Sequence, residues 1–172
     1  MSESVLTNDQ LRCLASPARN DVLVALRAVG PASTKEVAAR VGRSPEATHY
    51  HLKALFDVGL IQVVGRRPAP KKPETIYACV STRLKLPTDS ESRELRKKAV
   101  EASIRQALRG YLAAKASNAN EKQIVRTTVR LSNDDRERFF ALISEALAFA
   151  ETHSKADAPL CSWLSLAYPS GD

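Results

Sequence analysis

No two of the three cysteines, Cys13, Cys79 and Cys161, stand at a C-x-C or C-x-x-C spacing. An odd, scattered set suits small buried hydrophobes in a reducing compartment better than disulfides or a thiolate metal site. Long apolar runs are missing too. No stretch approaches the roughly 20 residues that cross a bilayer, and the opening MSESVLTNDQ has neither the basic nor the apolar segment that directs secretion. These absences lead us to expect a cytoplasmic protein without membrane attachment. The chain also lacks a glycine-rich phosphate loop, a pair of catalytic carboxylates and a nucleophile motif, so neither enzyme activity nor a cofactor is expected.

What is present is basic charge, unevenly placed. Lys and Arg outnumber Asp and Glu by 26 to 19 over 172 residues, but up to Lys85 the count is 13 to 7. Nearly all of the net charge of +7 therefore sits in the first half. A local surplus of this kind suggests a polyanion partner, although solvated surface lysine gives the same sum. The length fits one ordinary domain, or a small domain with an assembly element.

Helix starts are easily read in this half. TNDQ (Thr7 to Gln10) and STKE (Ser33 to Glu36) place a hydroxyl three residues before Gln or Glu, the spacing of a capping box. SPAR at Ser16 and SPEA at Ser44 put proline directly after a serine cap, where its missing N–H costs nothing. Apolar residues then recur at helical spacing: Leu11 and Leu14; Val22, Leu23, Leu26 and Val29; Val37, Ala38 and Val41; Leu52, Leu55 and Phe56. After Gly59 the period becomes extended. LIQVV (Leu60 to Val64) and TIYACV (Thr75 to Val80) predict two strands around the basic, proline-punctuated loop GRRPAPKKPE. Three helices, the last two joined by a tight turn, followed by a hairpin, make a winged helix-turn-helix.

The helix that opens at Ser44 carries His49, Tyr50 and His51 in a row. With Thr48, Leu52, Leu55 and Phe56 turned to the core, Glu46, Ala47, His49, Tyr50 and Lys53 fall near the opposite side, available to base edges and phosphates together with Ser44. A metal site is excluded by twist. Successive helical residues turn by about 100°, so His49 and His51 diverge by about 200° and cannot hold one ion. His49 is the one expected to face DNA, with His51 turned toward the wing or the first helices. On the hairpin, Arg66 and Arg67 precede the tip and Lys71 and Lys72 follow it. Four such cations can neutralise phosphates along one strand, though each taken alone is an ordinary solvated charge.

Beyond a polar connection, LPTDSES, residues 90–115 predict one long helix with Val100, Ile104, Leu108, Tyr111 and Leu112 on a single stripe. IVRTTVRL (Ile124 to Leu131) predicts a strand, and SNDD opens a helix with Phe139, Phe140, Ile143, Ala146, Leu147 and Ala150 inward. PLCSWLSLAY (Pro159 to Tyr168) is a candidate second strand whose Trp163 is expected to be buried. The expected fold is thus mainly α with small β (α+β), a winged helix-turn-helix over residues 1–86 and a helix-strand-helix-strand dimerisation module over 87–172.

LASPARNDVLVAL, STKEVAARVGRSPEATHYHLKALFDVGLI and a basic hairpin ending in TIYACV together resemble the ArsR-like winged-helix repressors, over about Leu11 to Val80. HLKALFDVGLI, from His51 to Ile61, is the most specific part. The resemblance implies a dimeric transcription regulator that binds double-stranded DNA, acting on an inverted-repeat operator as a repressor. Two departures limit it. Glu46 and Ala47 stand where the family usually has small hydroxyl residues, which predicts a different base preference, and the family's metal-sensing cysteine pair is absent. No sensory site carries over, and any small-molecule effector is unidentified. The alternative is a winged helix that docks a protein or RNA without operator specificity.

Overall fold

The computed structural model describes residues 3–70, 72–81, 83–113 and 131–153. In chain order its elements are β1 (Glu3–Val5), α1 (Asn8–Leu14), α2 (Pro17–Val29), β2 (Ala32–Ser33), α3 (Thr34–Val41), α4 (Pro45–Asp57), β3 (Ile61–Arg67), β4 (Glu74–Cys79), β5 (Arg83–Lys85), α5 (Arg93–Ala113) and α6 (Asn133–Thr152). Residues 3–113 belong to one compact unit and residues 131–153 to another.

Local chemistry accounts for the helix starts. At Thr7 and Ser33 both capping boxes close: the hydroxyl accepts from the N–H of Gln10 or Glu36, whose side chain accepts from the cap residue's own N–H. Ser44 accepts from the Ala47 N–H at 3.2 Å, while Ser16 makes no such bond and leaves α2 to begin on Pro17 alone. Gly42 ends α3 with φ of 66°, a left-handed conformation that lets α4 begin three residues later at a new angle.

The helices pack around a core in which Leu11, Val22, Leu26, Val37, Leu52, Leu55 and Ile61 are fully buried. Each such side chain contributes on the order of 1.5–3 kcal/mol through burial. β3 and β4 form the antiparallel wing, and β2 adds to the other edge of β4, giving the order β2-β4-β3. This is a winged helix-turn-helix of the α+β class, with α3 and α4 as its helical pair.

Several features differ from expectation. β2 is a strand that the sequence pattern does not predict, and β1 pairs in parallel with β5, tying residues 3–5 to residues 83–85. Short strands of two or three residues leave too little periodicity to be read locally. β3 runs on past Val64 to Arg67 through an irregularity between Val63 and Gly65, so Arg66 and Arg67 lie in a strand and not in the loop. Val29 and Phe56, expected inward, are exposed.

The largest difference concerns α5. It packs on α1 and α2 within the first unit, which reaches residue 113 where residue 86 was expected to be the boundary. Its buried face is Ala99 and Ala102, with Leu95 against the core and Ser92 buried just before the helix start. Alanine permits close approach between helices, and at this spacing it turns the larger stripe aside. Val100, Ile104 and Tyr111 are half-buried, while Leu108 and Leu112 are exposed. On α6, Ile143 is half-buried, while Phe139, Phe140, Ala146, Leu147 and Ala150 are exposed and not inward. The predicted strands over 124–131 and 159–168, with Cys161 and Trp163, lie outside the described residues, except for Leu131, which is exposed and belongs to no strand.

Replacing Ala102 by leucine should therefore overpack the α5 seam and cost about 1–3 kcal/mol in chemical denaturation. Leu112→Ser, on the exposed face, should cost less than about 0.5 kcal/mol in the monomer. Equal effects would place the seam elsewhere.

Candidate nucleic-acid interface

α4 buries Thr48, Leu52 and Leu55, three positions that share one side of a helix, and this forces the rest of the sequence to the other side. Glu46, Ala47, His49, Tyr50 and Lys53 are all exposed, Tyr50 by 68%. The expected reading face is therefore assembled on one helix surface. Phe56 joins it at 46% exposure, an apolar member that the sequence pattern had assigned to the core. Ser44 is exposed at the helix start, with its hydroxyl engaged as the cap. Lys53 is held by Asp57 one turn on, at 2.7 Å, which offsets its charge locally.

The two histidines part as the helical twist requires. His49 is exposed and lines an open groove of about 450 Å³ together with Glu46, Pro45, the start of α3 and the wing residues Lys72, Pro73, Glu74, Thr75 and Tyr77. His51 is half-buried and turned to the first helices, its ring edge against Tyr50 with centroids 5.6 Å apart. Burial lowers its proton affinity below the ordinary histidine value, and the positive charges of Arg43 and Arg19 lower it further.

The wing cations are not equivalent. Arg67 donates from Nη1 to Glu36 Oε1 at 2.8 Å, while the other oxygen of Glu36 accepts the Ser33 N–H at 2.7 Å. One carboxylate thus caps α3 and anchors the wing. The Arg67 hydrogen bond, then the bonds from Ser33, hold the Glu36 carboxyl down to about 2. Lys35 pairs with Glu74 at 2.7 Å, so α3 reaches both wing strands, whose Arg67 and Glu74 are register partners. Arg67 is therefore tied to α3 and positions the wing, with its side chain still half exposed. Arg66 and Lys72 are exposed, with no ion pair to any described residue. Lys71 lies outside the described residues.

The sequence pattern missed these cross-links because Glu36 already has a full local explanation as a capping residue. A carboxylate that uses one oxygen for the cap still has a second to offer, and an Arg and a Glu flanking a hairpin loop are the available signal. Among the described residues no group of His, Cys, Asp or Glu is placed to hold a metal ion.

The family model described as HVO_A0114 matches residues 14–81, the segment from the end of α1 to just past β4. No curated protein matches the chain significantly. Among solved structures, a crystal structure of a transcriptional regulator of the MarR family from Silicibacter pomeroyi is similar at 14% identity and a TM-score of 0.34, over 81% of this chain and 75% of that one. So loose a superposition leaves the fold assignment to rest on the geometry above.

The Glu36 carboxyl offers a direct check on the wing anchor. Because its value is depressed in the fold, its contribution is fully present above about pH 4.5 and is lost as pH falls toward about 2. In carboxyl NMR titrations of the native protein, Arg67→Gln should move the Glu36 midpoint up toward the ordinary range. An unmoved midpoint would show that Arg67 is not the dominant partner.

Proposed function

We propose that this chain is a sequence-specific, DNA-binding transcriptional regulator of the ArsR-like winged-helix type, acting as a homodimeric repressor on an inverted-repeat operator. The observation that carries this reading is the joint exposure of Glu46, His49, Tyr50 and Lys53 on one face of α4, next to a wing that presents Arg66 and Lys72. An α-helix fits the major groove, and side chains on its N-terminal half reach base edges there. The cations add affinity without choosing sequence. Occupying a promoter needs no chemistry, so the protein acts without enzyme activity or cofactor, in the cytoplasm.

Dimerisation is supported by the apolar surface of the C-terminal helices. Leu108 and Leu112 on α5 are 50% and 68% exposed, and Phe139, Phe140 and Phe149 on α6 are exposed as well. A second copy would cover such surface and bring two reading helices to half-sites about one DNA turn apart. The module is also where an unidentified small-molecule effector would act.

Two measurements test the reading. Arg66→Ala should weaken specific and random duplexes alike and flatten the dependence of affinity on salt. Tyr50→Ala or His49→Ala should instead shrink the gap between specific and random DNA, by about 1–3 kcal/mol for a base-edge contact. If no duplex selected from genomic fragments is preferred over bulk DNA, the winged helix is a docking or RNA-binding module.

Sedimentation should give a dimer at micromolar concentration, and Leu108→Asp with Leu112→Asp should give monomers with weakened operator binding. A wild-type monomer with full operator affinity would remove the dimer from the proposal.

A further inference from the structure

A second cluster of positive charge lies on the flank of α4 away from the wing. His49 lines the wing-side groove, and His51 sits about 200° further round the helix. The charges of Arg43 and Arg19 both act on His51. Arg43, in the turn between α3 and α4, also approaches Asp21 of α2 at 3.7 Å. That carboxylate has a nearer partner, Arg109, at 2.6 Å, so it leaves Arg43 largely uncompensated. Arg19, in the first turn of α2, has no hydrogen bond or ion pair to any described residue, and that turn holds no acidic side chain. Two polar atoms of the cluster also lack partners: Arg19 Nε and His51 Nδ1 have no hydrogen bond. Two guanidiniums with little carboxylate beside them favour an oxyanion.

The dimensions of the duplex say which one. A helix with its side chains is about 10–12 Å across and fills a major groove about 12 Å wide. A seated α4 therefore has a phosphate strand on each flank. Wing cations serve one of them, and nothing assigned so far serves the other. We infer that Arg19, in the first turn of α2, and Arg43, in the turn between α3 and α4, form a second phosphodiester site that grips the DNA strand on the flank of α4 opposite the wing. The inference rests on the DNA-binding reading and extends it to the second strand.

The test compares the salt dependence of duplex binding for the wild type, Arg66→Gln, the pair Arg19→Gln with Arg43→Gln, and the pair Arg19→Lys with Arg43→Lys. Neutralising the pair should reduce the slope of log affinity against log salt by about one to two, since each phosphate contact contributes about 0.9. It should do so on operator and random DNA alike, and the lysine pair should keep the slope. Single uncharged methylphosphonate linkages, scanned along a duplex bound by the wild-type protein, supply a readout independent of variant folding. Affinity should fall at linkages on both strands flanking the groove. Loss confined to the wing-side strand, or an unchanged slope in the glutamine pair when Arg66→Gln flattens it, overturns the second site and leaves the regulator reading intact. Absence of duplex binding by the wild type overturns that reading and the site with it. Saturable binding of inorganic phosphate, seen as a shift of the His51 ring signals, combined with an unchanged duplex slope, would make this a free-anion site and overturn the assignment to DNA.

Discussion

The burial of Thr48, Leu52 and Leu55 against the other helices decides the orientation of α4, and most of what the protein presents to its surroundings follows from that orientation. A thirteen-residue helix with three fixed inward positions cannot rotate without exposing leucine or burying Glu46 and Lys53, and either change costs on the order of kilocalories. Tyr50 is exposed because its neighbours in the pattern are not. The same constraint separates His49 from His51 and gives α4 two unlike flanks, one shared with the wing and the other with the first turn of α2.

Charge on this domain is divided between groups that hold geometry and groups left available. Glu36, Arg67, Lys35 and Glu74 neutralise one another between α3 and the wing. Exposed pairs of this kind add little stability individually. Their effect is orientational, since two contacts from successive residues of α3 reach both strands of the hairpin and restrict its swing. Arg66 and Lys72 keep their charge for a partner. The number of basic side chains in the first half of the chain therefore overstates how many are free for a polyanion, because some are paired inside the fold, whereas the net charge is unchanged by such pairing.

Much of the winged domain was legible in the sequence because its signals are local. Ser, Thr and Pro at helix starts and apolar residues at helical spacing each act within a few residues, and together they located α1 to α4. The hairpin was legible for the same reason. What escaped was decided at long range. β2 needs β4, and β1 needs β5, across more than 40 and about 80 residues of intervening chain respectively. On α5 the bulky stripe through Val100 and Leu108 is the stronger pattern in the sequence, but close packing selects Ala99 and Ala102, whose small size lets α5 lie near α1 and α2. Phe56 was misplaced because helical spacing alone cannot tell the edge of an inward face from its centre. The Arg67–Glu36 link was not legible because the two residues stand in different elements.

The pairing of β1 with β5 has a mechanical consequence. β5 is the short link between the wing and α5, and its three residues are hydrogen-bonded to the start of the chain, with the Leu6 N–H adding a bond to the Lys85 carbonyl at 2.9 Å. A free tether would absorb movement at either end. This one is stitched down, so a displacement of α5 must either unzip the stitch or be passed along the backbone to β4 and the hairpin. The first strand thus acts as a stay on the joint between the hairpin and α5, and trimming it would convert a stiff coupling into a slack one.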